Sequence, residues 1–175
     1  MSNPSTIPDR PQSTWSEVRA HDHVMRYRRS GVGPAVLLLH PGEASGALWP
    51  ELLHVLSASF RVILPDLPED DSDAAAWLAD LLEGLGFTRV AVLAADGFCL
   101  PALELALLDA DQVSRLVLVP DGCAGETGLD GALATPSRGA DIPILVVRRG
   151  LPADEALPMV THFLAGESGS DPGQA

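Results

Sequence analysis

The 175-residue chain contains no lysine, so all 11 of its basic side chains are arginine, set against 24 aspartates and glutamates for a net charge of −13. A polyanionic phosphate backbone would be repelled by that balance, which argues against nucleic acid as a partner. Cysteine is almost as scarce. Cys99 and Cys123 are too few for a disulfide scaffold or a cysteine-built metal site. A reduced, cytoplasmic setting is therefore expected. No apolar run reaches the length of a bilayer span, so no membrane association is expected. The opening MSNPSTIPDRPQSTW lacks a basic region followed by an apolar stretch, so no secretory signal is expected either. The chain also lacks a Walker-type loop, since SGVGP at 30–34 is followed by an apolar run rather than a helix start. No G-x-G-x-x-G opens a helix, and no internal repeat is visible. No nucleotide, metal or other cofactor is expected from these gaps.

What is present reads as one globular domain: 46% of residues are hydrophobic and 20% charged. Residues 1–14, rich in Ser, Pro and Thr, read as a disordered leader, and 166–175 as a frayed tail. Between them, residues 15–165 alternate short apolar runs with longer helical patterns, the signature of an α/β fold with parallel strands. Residues 17–20 and 24–28 suggest a hairpin with His21, Asp22 and His23 at its turn. Strands are expected at 35–39 (AVLLL), 60–64, 90–94, 113–119 and 144–147. Helices are expected where Leu48, Leu52, Leu53 and Leu56 recur, across 77–85, over 98–108 and over 154–164. Residues 120–141 form a long Gly-rich connection. Trp15 is expected to pin the leader, and the basic run at 26–29 to form a solvated face. The acidic run Glu69, Asp70, Asp71 and Asp73 reads as a solvated loop leading into a helix rather than a cation site.

One stretch concentrates the chemistry. In VAVLAADGFCLPALELA, residues 90–106, an apolar strand meets an apolar helix with a carboxylate, Asp96, at the bend. Four stretches together resemble the α/β-hydrolase family over residues 24–165. MRYRRSGVGPAVLLLHPG looks like its hairpin, third strand and His-Gly oxyanion turn, with Pro41 inserted between His40 and Gly42. FRVILPDLPEDD resembles its fourth strand and following loop. RVAVLAADGFCLPALELA resembles its nucleophile strand, elbow and helix, and QVSRLVLVPD with IPILVVRRGLPADEALP resembles two further strands.

That resemblance implies a three-layer sandwich around a mostly parallel sheet, a reduced α/β-hydrolase fold. It places Asp96 at the nucleophile position, as in the Asp-nucleophile haloalkane dehalogenases and epoxide hydrolases. Phe98 departs from the pattern, because the family has glycine two residues after the nucleophile. A shifted register would instead put Gly97 at the strained apex, flanked by Ala95 and Cys99, and leave Asp96 beside it. By the same resemblance, His40, Gly42, Glu43 and Gly97 form the oxyanion turn and elbow. Asp121 and Asp154 stand where the family carries acids, with a turn and a helix N-cap as their plainer roles. Phe98 and Leu100 would line the substrate site, and Cys99 would be a small packing residue. The family's lid and the C-terminal unit bearing its catalytic histidine have no counterpart here, which implies a truncated, lidless member with an incomplete triad.

Three functions stay open on the sequence. The first is an enzyme using Asp96 on a small apolar molecule, as nucleophile or as base in an isomerase, lyase or cyclase. The second is a non-catalytic ligand-binding or accessory protein on a hydrolase scaffold. The third is a hydrolase completed by His21, His23 or His162 of another subunit. The seventh strand would be an exposed sheet edge, which implies a homodimer.

Overall fold

The computed structural model describes residues 15–21, 23–40, 48–67, 73–120, 142–147 and 151–166. The sheet follows directly from the apolar runs. Seven strands, β1 (Trp15–Ala20), β2 (His23–Ser30), β3 (Ala35–Leu39), β4 (Arg61–Pro65), β5 (Val90–Ala95), β6 (Val113–Val119) and β7 (Ile144–Val146), form one sheet in the order β1-β2-β4-β3-β5-β6-β7. β1 and β2 are antiparallel, as are β2 and β4, whereas β4, β3, β5, β6 and β7 run parallel.

The alternation of side chains decides the layers, because successive residues of a strand face opposite sides. Leu37, Leu39, Val92, Ala94, Leu116 and Leu118 pack on one side with α2 (Ala74–Gly84) and α3 (Cys99–Leu108). Val36, Leu38, Ala91, Leu93, Ala95 and Val117 pack on the other with α1 (Leu48–Ser57) and α4 (Ala153–Ala165). A strand buried on both sides has no room for polar alternation, which is why β3 and β5 read as unbroken apolar runs. All six residues of β5 are buried. The fold is thus a three-layer α/β sandwich, as the sequence implied.

Several boundaries differ from the expectation. The hairpin is longer, with Trp15 inside β1 and His23 the first residue of β2 rather than part of the turn. Trp15 packs under Arg26 and Arg28, whose guanidinium carbons lie 4.8 Å and 4.3 Å from the ring centroid. The basic run is therefore partly a stack of cations on an aromatic ring, because Arg28 is paired with Trp15 across the ladder. Gly31, with φ +75, turns β2 into β3, where an added Cβ would overlap the carbonyl oxygens of Phe60 and Ser57. The helix expected at 98–108 begins at Cys99, after a short 3-10 turn over Asp96–Phe98. Pro152, not Asp154, stands at the N-cap of α4, and Asp154 falls in its first turn.

Residues 1–14 and 167–175, expected as leader and tail, lie outside the described residues, as does 121–141 of the long connection. Of the acidic run, Glu69, Asp70 and Asp71 also lie outside, while Asp73 stands at the start of α2, its carbonyl accepting from the Trp77 amide at 3.1 Å.

Candidate active site at the β5–α3 elbow

β5 stops abruptly. Ala95 is still extended (φ −125, ψ 154), Phe98 is right-handed helical (φ −86, ψ −5), and Asp96 between them has φ 53. Among non-glycine residues Asp is one of the few that enters this left-handed region readily. The reversal from strand to helix thus happens at a single residue. Asp96 is the apex.

Gly97 lies within the right-handed 3-10 turn and is not among the glycines with positive φ. A Cβ added to it would meet nothing within 4 Å. The shifted register, with Gly97 as the strained residue, is therefore corrected by the backbone: neither its torsion nor its surroundings require glycine there.

Phe98 is accommodated without the small residue that the elbow pattern favours. It is half-buried and leans on the core on the α2–α3 side. The close approach of helix to strand is made one position later. Cys99 is buried, and its thiol reaches the Ala94 carbonyl at 3.6 Å. Ala94 and Ala102 are fully buried beside it. The sequence signal for this was the trio of small residues Cys99, Ala102 and Ala106 at helical spacing, which also accounts for Cys99 as a packing residue.

Position in the sheet singles out the same place. β3 and β5 are neighbours, but the chain leaves β3 into α1 on one face and leaves β5 into α3 on the other. Such a switch opens a crevice beyond the carboxyl ends of the two strands, where open α/β sheets bind ligands. Asp96 follows β5 there. His40 follows β3, one residue past the Leu39–Ala94 pair, and both residues are half-buried. On the other side Val119 of β6 pairs with Ala95.

The remaining candidates fall as follows. Gly97 and Leu100 are exposed at the start of the helical segment, with Leu100 43% exposed. Gly42, Glu43 and Asp121 lie outside the described residues. Asp154 is exposed. His54 and His162 are exposed on α1 and α4, and His21 sits in the hairpin turn at the far edge of the sheet. Asp96, Gly97, Phe98 and Leu100 thus follow one another directly after β5, whose neighbour in the sheet is β3, while Asp154, His54 and His162 are exposed on α4 and α1.

Comparison with solved structures decides the architecture. An epoxide hydrolase from Vigna radiata superposes with a TM-score of 0.53 at 23% identity, covering 62% of this chain and 40% of the other. A naproxen esterase from Bacillus subtilis does so with a TM-score of 0.53 at 20% identity, covering 63% and 44%. This is the α/β-hydrolase fold. No profile of a known protein family matches the chain. Among curated proteins, a 2-hydroxy-6-oxo-6-phenylhexa-2,4-dienoate hydrolase from Comamonas testosteroni is 28% identical over 151 residues, or 82% of this chain and 46% of that protein. An uncharacterized protein from Mycobacterium tuberculosis is 31% identical over 113 residues, 58% of this chain and 33% of its own length. The chain spans less than half the length of the curated relatives it matches. Asp96 stands at the turn that follows β5 in this fold, with φ 53.

Proposed function

We propose that this protein is a hydrolase-like enzyme that acts on a small, largely apolar molecule through the Asp96 carboxylate. The observation that carries the reading is Asp96 itself, a non-glycine residue at φ 53 on the strand-to-helix turn, at the switch point of the sheet. Strained torsions of this kind persist where the surrounding structure enforces them, and they cluster at working sites.

In the nucleophilic form of the reaction, a carboxylate oxygen attacks an electrophilic carbon, the carbon–oxygen bond forms, and the leaving group departs with the bonding pair. In the basic form, the same oxygen takes a proton from carbon or oxygen and returns it elsewhere, giving isomerisation or elimination. The amides at the start of a helical segment lack intrahelical acceptors and point outward. That of Gly97 and, by the hydrolase resemblance, those of Gly42 and Glu43 are the proposed donors to developing negative charge. Phe98 and Leu100 supply the apolar wall. The proton-shuttling form is preferred, because it needs no second base to activate water.

The test is turnover of a panel of aryl esters, epoxides and enolisable ketones by wild type and Asp96→Asn. Loss of at least about a hundredfold in rate, the usual scale for removing a general base, supports the reading. Activity surviving unchanged overturns it. Mass spectrometry of the quenched reaction separates the forms, since only the nucleophilic one leaves an ester on the peptide containing Asp96.

A second reading, ligand binding without turnover, is favoured by Phe98, whose bulk stands where the elbow pattern has glycine. It predicts ligand affinity that Asp96→Asn leaves intact. A homodimer through β7 is proposed as well: among the described residues this strand is the last of the sheet and exposes Ile144 and Val146 by 40% and 42%, and sheet edges invite pairing. No described helix is long and apolar enough to cross a membrane, and a cytoplasmic setting remains the proposed one.

A further inference from the structure

At the far edge of the sheet, three side chains from two elements converge outside the elbow. His21 lies in the turn between β1 and β2, and Asp80 and Glu83 lie one turn apart on α2. One potential ligand atom from each falls within 4.8 Å of the other two, and His21 Nδ1 is 3.4 Å from an Asp80 carboxylate oxygen. We infer that His21, Asp80 and Glu83 form a binding site for a divalent transition-metal ion of the zinc type, clipping the hairpin turn to α2.

The geometry fits the size of such an ion. With metal–ligand bonds of about 2.0–2.2 Å, neighbouring ligands in a tetrahedral shell sit roughly 3.3–3.6 Å apart. The His21–Asp80 separation already matches. The widest separation in the trio needs to close by only about 1 Å, within reach of side-chain rotation at residues that are exposed or half-buried. The donor set, one imidazole and two carboxylates, suits zinc, whereas magnesium prefers an all-oxygen octahedron that keeps several waters.

The backbone under these side chains is well held. Leu78, Leu81 and Leu82 anchor α2 in the core on the opposite face of the helix. Gly84 lets β1 rest against α2, since a Cβ there would lie 3.0 Å from the Ala20 Cβ and 3.1 Å from the Val18 Cγ2. His21 takes φ 50, which turns the chain back at the end of the hairpin. A simple His21–Asp80 ion pair explains two of the three groups, but it leaves Glu83 as a second carboxylate in the same place. A divalent cation neutralises both, in a chain whose net charge is −13. The site is separate from the elbow, because β2, β4 and β3 lie between β1 and β5.

The test uses the full chain, dialysed against chelator and then titrated with zinc chloride by calorimetry and thermal melting. One saturable site is expected, with Tm raised by roughly 5–10 °C at a hundredfold excess over Kd. His21→Asn removes the imidazole while tolerating the left-handed backbone. Glu83→Gln keeps the helix. Each should weaken zinc binding by at least about tenfold, while His54→Gln and His162→Gln leave it unchanged. Failure of saturable binding, binding that survives both His21→Asn and Glu83→Gln, or an equal response to magnesium would each overturn the proposal.

Discussion

The apex assignment at the elbow makes a prediction that two neighbouring residues test in opposite directions. With Asp96 at φ 53, any residue bearing a Cβ there carries left-handed strain, which costs about 1–2 kcal/mol for an ordinary side chain. Asp96→Ala and Asp96→Gly both remove the carboxylate and its contacts, so their difference isolates the backbone. Glycine relieves the strain but adds roughly 0.4–1 kcal/mol of unfolded-state entropy. The net expectation is that the glycine variant is more stable than the alanine variant by about 0.5–1 kcal/mol, or roughly 1–4 °C in Tm for a chain of this size.

Gly97 should behave the other way. It lies in a right-handed turn, and an added Cβ meets nothing within 4 Å. Gly97→Ala should therefore gain about 0.4–1 kcal/mol through the unfolded state alone. Urea titrations of the four proteins at one pH measure all of this. If Gly97→Ala instead loses more than about 1 kcal/mol while Asp96→Ala matches Asp96→Gly, glycine is the strained residue and the apex has been misplaced.

Other perturbations address the frame that holds the elbow. Leu93→Ala, which removes a fully buried side chain on the α1–α4 side of β5, should cost about 2–5 kcal/mol in a denaturant titration. Gly31→Ala should destabilise by roughly 2–5 kcal/mol, since it combines a left-handed torsion with overlap against the Ser57 and Phe60 backbone. A Tm within 2 °C of wild type, about what 1 kcal/mol or less produces, would contradict that overlap. Trp15→Ala removes the ring beneath Arg26 and Arg28. It should cost about 1–2 kcal/mol, two exposed cation–π contacts, without altering turnover of any substrate the elbow accepts.

Much of this architecture was legible before any coordinates. The run at 35–39 reads as a doubly covered strand because burial on both faces removes polar alternation, 90–94 and 113–119 read as strands from their apolar content, and β3, β5 and β6 lie within a residue of those bounds. The hairpin extends beyond the expected 17–20 and 24–28 because Trp15, Ser16, Arg29 and Ser30 carry no apolar alternation of their own and are held by pairing, Trp15 lying across from Arg28 and Ser30 across from Val62. The start of α3 was misplaced because Phe98 is apolar and fits a helical period, whereas the turn before it is a matter of torsion. Asp154, an acid position by the resemblance with an N-cap as its plainer role, lies in the first turn of α4, where Pro152 takes the cap.

The chain's own residues were enough to determine an α/β sandwich with a carboxylate at one strand–helix bend. They do so because apolar periodicity is local and survives in one dimension. Two things had to wait for tertiary structure. One was which residue of the Asp96–Gly97 pair turns the chain, since a single left-handed torsion is enforced by the strand and helix packed around it. The other was the meeting of His21 with Asp80 and Glu83, since nothing within the sequence brings a hairpin turn to a helix some sixty residues away until β1 settles against α2.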